Sequence, residues 1–531
     1  MTSGIGWGAV GTTLLVGVCA FAGCEKRSAK APEPEPSKIV VLNNDCTQFQ
    51  ATFPEEKMTE AGAKEYFDRM NVGGNTHFFM NPQGLVAYYP SKVLDTAWHA
   101  DDPRVKVNDS PCTKRAKLLA DRGVDQYAVW VKCARARGIS PWLSMRMNDI
   151  HSICSPDSSH ESRFWLDHPE FRRVPGSNGG RNWSHGALDF THREVRDLAL
   201  ATAREMLENW DVDGFECDWL RFPHQVNDAA EKDGSGCAAL TAFMRDLRRV
   251  VDEIGARRGR KIKIAVRVAS RMEAAKGLGT DAVAWVKEGL VDWVIASNFF
   301  TCTDFGLPLA QWREALKAAN PQVKVLVGLD HAGVCRANIF RSPTLEECNG
   351  YFERMYAEKT DGFYFFNYFC YNGTPAATLI QKQGCADEAT VRAAARAYPV
   401  TFVDATPAGM PSGNRFPCTV QAAQSFKIKI GKVGNPAGAS VQLLFEGAVG
   451  EQLAPAVTLN GQRGKGFRVL DAKTILPTLK PNHGFAACEI DLPVAALVDG
   501  VNEVTVGPSA KPLRLQGVEL CLQANKKTEA K

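Results

Sequence analysis

The sequence predicts an α/β fold, a (β/α)8 barrel of the TIM type followed by a C-terminal β-sandwich. Three observations carry that prediction. From Lys38 to about residue 397, short apolar runs alternate with helical patterns, the order in which parallel strands and crossover helices are laid down. The apolar runs number eight, which fits a closed barrel with long loops better than an open sheet. Beyond residue 398 the helical period disappears, and short β-rich runs stand between Gly, Pro and Asn turns.

The eight runs are Ile39–Leu42, Thr76–Met80, Pro141–Met147, Val212–Trp219, Ile262–Ala269, Val291–Ser297, Val323–Leu329 and Gly362–Asn367. Thr191-His192-Arg193-Glu194 has the form of a capping box, after which Val195, Leu198, Ala199, Met206 and Leu207 recur at helical spacing. Leu240, Phe243, Met244, Leu247, Val250, Val251 and Ile254 form an apolar stripe that belongs to the core. Thr280 is placed to cap a helix over 281–288 that stops at Gly289, and Thr344 with Glu347 opens another after Pro343. The sandwich strands are expected at 425–430, 440–445, 456–459, 486–492, 503–506 and 513–522.

The fourth run carries the chemistry. Read with a period of two, Glu216 and Asp218 share one face, and Phe215, Cys217 and Trp219 share the other. At a rise of about 3.3 Å per residue the two carboxylates start roughly 6.6 Å apart, so each charge raises the other's proton affinity. One of them can equally pair with Arg221 or Arg267 as a structural ion pair. Polar and aromatic residues gather at the carboxyl ends of the runs, including Arg146-Met147-Asn148-Asp149-Ile150-His151, Arg267 to Arg271, Asn298-Phe299-Phe300, Asp330-His331 and Asn367-Tyr368, whereas the starts are mostly Val, Ile and Lys. In a (β/α)8 barrel that is the end where active residues sit. The long segment from Ser152 to Asp189 holds Phe164, Trp165, His168, Trp183 and His185, aromatics that either offer platforms for sugar rings or pin the loop to the barrel.

Composition narrows the function classes. A net charge of +4 with both signs interspersed gives no basic stripe for nucleic acid. Neither a phosphate-binding Gly-rich loop nor a dinucleotide fingerprint occurs, and no CxxC pair or HExxH supports a zinc site, so neither a cofactor nor a metal is expected. The 16 Cys are too sparse for a disulfide scaffold, although some disulfides fit an exported chain, and Cys217 reads as a small core hydrophobe.

Ala9 to Ala22 is an apolar run too short to span a membrane, and residues 1–23 read as a signal peptide. Its end, Phe21-Ala22-Gly23-Cys24, resembles the lipobox of bacterial lipoproteins, which implies lipidation at Cys24 and a membrane-anchored, periplasmic or cell-surface protein. Residues 24–37 are charged and Pro-rich and suit a tether. The barrel is expected over 38–397, the sandwich over 398–523 and a charged, mobile tail over 524–531.

The phrase Val212-Asp213-Gly214-Phe215-Glu216-Cys217-Asp218-Trp219-Leu220-Arg221-Phe222-Pro223 resembles the fourth-strand signature of the family-10 glycosyl-hydrolase-like proteins. Tyr89-Pro90-Ser91-Lys92, Ala187-Leu188-Asp189-Phe190 and Asp361-Gly362-Phe363-Tyr364-Phe365-Phe366-Asn367 match it as well. Asp213 to Leu220 is also similar to the family-18 chitinase pattern, with Leu220 in the place of that family's acid and Glu216 in the place of its first inner Asp. Analogy with the retaining barrel glycosidases implies Asp218 or Glu216 as the acid and Asp330 as the nucleophile. Val457 to Gly461 and Asp499 to Val506 resemble galactose-binding-like modules.

The function expected is an exported glycoside hydrolase acting on a polysaccharide or oligosaccharide, with Asp218, Glu216 and Asp330 catalytic. Arg146, Asn148, Asp149, Trp219, Arg221, His224, Arg267, Asn298, His331, Tyr364 and Asn367 are the expected substrate contacts. The arginines would fix hydroxyls or an acidic substituent, and Trp219 or a loop tryptophan would stack on a ring. The alternative is a non-catalytic carbohydrate-binding surface lipoprotein.

Overall fold

The structure is a computed structural model. It describes residues 38–525 apart from short stretches, the longest being 154–160, 369–381 and 448–453. The signal peptide, Cys24, the tether, His331 and nearly all of the tail lie outside the described residues.

Eight parallel strands close into a barrel: β1 (Ile39–Asn44), β2 (His77–Met80), β3 (Ser140–Arg146), β4 (Gly214–Asp218), β5 (Lys263–Ala269), β6 (Trp293–Ser297), β7 (Lys324–Asp330) and β8 (Gly362–Phe366). Each pairs with its sequence neighbour, and β1 pairs with β8 to complete the circle. The eight strands expected from the sequence are those observed, with ends that differ by at most two residues.

Alternation along the strands sorts side chains between two cores. Ile39, Val41, Phe79, Trp142, Trp293, Tyr364 and Phe366 pack inside the barrel, whereas Val40, Leu42, Phe215, Cys217 and Val266 join the larger core between strands and helices. The lower interior is filled, with Trp142 stacked on Trp293 at 4.4 Å and on Phe79 at 4.8 Å, so the barrel is a packed core and not a pore. Gly214 is required there, because a Cβ would meet the Trp142 indole at 2.3 Å. Burial holds the neighbouring His77 imidazole down at about 3, helped by Lys263, so it stays neutral in this layer.

The helices follow the sequence pattern with two corrections at their starts. Arg193–Asn209 is N-capped at His192 without a side-chain bond, so the capping box expected at Thr191 does not form; the Thr191 amide donates instead to Asp189. The helix Ala282–Lys287 is capped by the Asp281 carboxylate and not by Thr280, whose hydroxyl donates to Ala275 O. The Thr344–Glu347 capping box is present.

The C-terminal region forms two antiparallel sheets. One holds Arg396–Pro399, Arg514–Gln523, Gly438–Glu446, Phe485–Leu492 and Lys465–Leu470 in that order, and the other holds Gln424–Lys429, Val501–Val506, Val457–Leu459 and Gln462–Arg463. The first strand, Arg396–Pro399, straddles the boundary expected at residue 398. Buried Glu353, on the helix Leu345–Ala357, accepts hydrogen bonds from the Tyr398 hydroxyl and the amides of Gly431 and Lys432, which ties the sandwich to the barrel's outer layer. Among the described residues, Cys46, Cys112, Cys133, Cys217, Cys237, Cys348, Cys418 and Cys488 are free thiols.

Candidate functional site

The carboxyl ends of the barrel strands hold the site, and β4 supplies its centre. Glu216 and Asp218 both point into the barrel and both are fully buried, but their partners differ. Asp218 accepts from Arg267 Nε at 2.9 Å and Nη2 at 3.1 Å, and its Oδ1 also accepts the amides of Leu220 and Arg221 at 3.1 and 2.9 Å. It is a neutralised carboxylate that fixes the turn after β4. The structural ion pair, one of the two readings open from the sequence, is the one realised at Asp218.

Glu216 has no cation within ion-pair distance among the described residues. The Tyr364 hydroxyl donates to Oε2 at 3.0 Å, and Oε1 has no hydrogen-bond partner. The Ser144 hydroxyl is close enough to favour the charged form without being aligned for a bond. Burial first, and then the Asp218 charge, push the Glu216 carboxyl up to about 8, against the opposing pull of Ser144, Arg267 and Tyr364. At neutral pH Glu216 is therefore a carboxylic acid.

Above this pair, three arginines surround one ring. The guanidinium carbons of Arg267, Arg146 and Arg221 lie 4.0, 5.8 and 5.9 Å from the centre of Phe366. Arg146 bridges two carboxylates, donating to Asp149 at 3.0 Å and pairing closely with Asp45. Burial is the largest single influence and raises both acids, yet Arg146, the Thr47 amide and His151 together outweigh it at Asp45, and His151, Arg146 and Arg221 together outweigh it at Asp149, so both carboxyls are held well below the usual range. His151, 41% exposed at its side chain, joins Asp149 through Nδ1 and accepts from Arg221 Nη2 at 2.6 Å through Nε2. Asp45 and His151 complete the cluster although the sequence reading named neither as a site residue. The Asp149-Ile150-His151 spacing was visible, but the contact with Asp45 spans more than a hundred residues.

The remaining expected contacts divide. Asp330 ends β7 level with Phe366 and contributes to the field at Arg221. Tyr364 serves Glu216, and the Asn367 Oδ1 is buried without a hydrogen-bond partner at the end of β8. His224 lies at the rim, with Nδ1 on Glu231 at 2.8 Å. Three assignments are corrected. Trp219 faces the helices, packed on Phe190, Phe243 and Trp285, so it offers no platform; half-buried Trp183 stands at the mouth instead, its ring 5.3 to 5.9 Å from Phe222, His224 and Phe299. Asn148 spends its side chain on the backbone of Leu188, in both directions, and on His224 O. Asn298 holds the segment that leads into the sandwich, donating to Phe402 O at 2.8 Å, while Asp404 accepts the amides of Phe299 and Phe300.

Two of the sequence motifs are also structural. Tyr89, Ser91 and the Lys92 amide all donate to Glu205, docking the loop after β2 on the helix Arg193–Asn209. Asp189 accepts from Asn227 Nδ2 and the Thr191 amide, fixing the start of that helix. Among the described residues no group of three His, Cys, Asp or Glu is placed to hold a metal ion, and no helix is long and apolar enough to cross a membrane.

No protein-family model matches the chain, and no curated protein sequence matches it. Solved structures do resemble it. A family-18 N-acetylglucosaminidase from Paenibacillus barengoltzii is 10% identical over 65% of this chain and 100% of that one, with a TM-score of 0.34. A group IV chitinase from Ostrinia furnacalis is 12% identical over 66% and 100%, at 0.40. The glycoside hydrolase domain of PgaB (BpsB) from Bordetella bronchiseptica is 10% identical over 65% and 98%, at 0.40. At scores this low the likenesses carry no argument of their own, and the barrel rests on its strand pairing.

Proposed function

We propose that the protein is a glycoside hydrolase that cleaves a polysaccharide or oligosaccharide at the carboxyl end of its barrel. The observation that carries this reading is the splitting of the β4 pair, in which buried Glu216 has only the Tyr364 hydroxyl as a partner and burial pushes its carboxyl up to about 8, while Asp218 beside it is ion-paired with Arg267. Two acids with environments that push them apart are what protonation of a leaving oxygen needs. Asp330, on β7 across the barrel, is the second carboxylate of this reading, and Trp183 is the stacking platform. Glu216 has no exposed surface, so the reading entails a proton path from it to the mouth. Kinship with the family-10 glycosyl-hydrolase-like proteins, export, and anchoring through Cys24 belong to the same proposal and rest on the sequence motifs.

A specific observation favours a second reading, a carbohydrate-binding barrel without turnover. Asp218 is committed to Arg267 and two backbone amides, and buried Leu220 stands where the chitinase pattern has its acid. Assaying the full chain for reducing ends released from a panel of polysaccharides, alongside Glu216→Gln, separates the two. Turnover that Glu216→Gln abolishes while sugar affinity persists supports the hydrolase. Sugar binding with no turnover in either protein supports the binder.

A further inference from the structure

Of the three arginines around Phe366, two have their charges matched and one does not. Arg146 has Asp45 and Asp149, and Arg267 has Asp218. Arg221 is only 7% exposed, yet among the described residues no carboxylate lies within ion-pair distance, and its guanidinium has one hydrogen-bond partner, the acceptor nitrogen of His151. Its Nε is buried without a partner. The rest of its surroundings are rings, with the guanidinium carbon 5.1, 5.7 and 5.0 Å from the centres of Phe222, Phe299 and Phe300. Burying a guanidinium with no counter-ion is costly unless something repays it. The fold even strains to put it there, because Phe222, the next residue, sits at a φ of 63°, a conformation bulky side chains rarely adopt, held by Gln225 donating to the carbonyls of Trp219 and Phe222.

We infer that Arg221 is the receptor for a carboxylate on the substrate, so that the carbohydrate recognised at this mouth is an acidic one carrying uronic-acid units. This deepens the hydrolase reading and rests on it for the sugar itself. A guanidinium fork matches a planar carboxylate in a bidentate pair. Burial and the Arg146 charge act against the Arg221 guanidinium, and Asp149, Asp330 and Asp45 together do not offset them, so it remains short of negative charge. The phenyl rings and Trp183 supply apolar surface for the sugar face beside that charge. Arg221 is thus a specificity residue, whereas Arg146 and Arg267 are positioning residues whose charges the protein itself consumes.

The test is equilibrium binding to the full chain of polygalacturonate, alginate and glucuronan, each beside its carboxyl-reduced neutral form, with a sulfated polysaccharide as a further arm. At least one polyuronate should bind more tightly than its neutral form, and Arg221→Gln should weaken that binding roughly ten- to a hundredfold while leaving binding of the neutral form unchanged. Arg221→Lys, which keeps the charge and loses the fork, should recover only part of it. Both variants should unfold close to the wild-type midpoint, because Arg221 has no carboxylate within ion-pair distance among the described residues; a large drop would make Arg221 a structural residue and overturn the inference. It is also overturned if neutral polymers bind as well as acidic ones, if only the sulfated polymer binds, or if Arg221→Gln keeps the preference. Binding of neutral sugars alone leaves the hydrolase reading standing, whereas binding of no carbohydrate removes both.

Discussion

The two ends of this barrel treat charge in opposite ways. At the amino end, Asp213, Asp292 and Asp361 precede β4, β6 and β8, and each is saturated. Asp213 takes Arg135, Arg260 and Ser140; Asp292 takes Arg248, Lys261 and the Ile264 amide; Asp361 takes Arg313, Lys317 and the Val325 amide. These acids lock neighbouring strands together in partial contact with water. At the carboxyl end an acid is kept neutral in Glu216, an amide oxygen goes unpartnered in Asn367, and Arg221 has no counter-ion among the described residues. Stability is served by the paired acids at one end, and at the other Glu216 Oε1, Arg221 Nε and Asn367 Oδ1 are buried polar atoms that a ligand would complete.

Breaking the carboxyl end at its proton donor should have the largest effect. Glu216→Gln keeps the Tyr364 contact and removes the proton, and should lower reducing-end release roughly a hundred- to ten-thousandfold with sugar affinity retained. The same variant sharpens the electrostatic contrast. Because the folded-state value of about 8 lies above the ordinary 4.5, the contribution of Glu216 to stability is fully present below about 4.5 and is lost as pH rises through about 8, at about 1.4 kcal/mol per pH unit in the steepest range. Unfolding in urea across that window should show the wild type falling relative to Glu216→Gln. Parallel curves would mean that Glu216 is not a buried neutral acid.

Asp218→Asn should be the most destabilising of the single changes, by roughly 3–5 kcal/mol in the same unfolding experiment, because it leaves Arg267 buried without its charge partner. A loss below about 1 kcal/mol would show that the pair contributes far less than its geometry implies.

Much of this arrangement was legible in the chain. The eight barrel strands follow from apolar runs whose length and spacing have no other good use, and the inward face of Glu216 and Asp218 follows from a period of two. That same period places Trp219 with Phe215 and Cys217 on the outer face, so its burial against Phe243 and Trp285 was available to the reader of the alternation. What could not be read is non-local. Nothing near Asn298 indicates that its amide will hold Phe402, or that Asp45 will claim Arg146. The failed box at Thr191 has a nearer cause, since Asp189 takes the Thr191 amide into a turn and the helix begins one residue later. The difference between Glu216 and Asp218 likewise depends on Arg267 reaching one and not the other from β5.

Smaller effects separate the rim from the frame. Trp183→Ala should weaken sugar binding roughly tenfold in calorimetric titration, with a change in unfolding midpoint well below that of Asp218→Asn, since the indole is half-exposed. At the amino end, Lys261→Gln removes one exposed partner of Asp292 and should cost less than about 1 kcal/mol with turnover unchanged. A loss of turnover there would erase the division of labour between the two ends.

The most direct test is to titrate Glu216 itself, by infrared difference spectroscopy of wild type against Glu216→Gln. A protonated carboxyl band should persist through neutrality in the wild type, vanish around pH 8 and be absent from the variant. A Glu216 already ionised in mildly acidic buffer would contradict the account, for the β4 pair would then hold two charges and no acid.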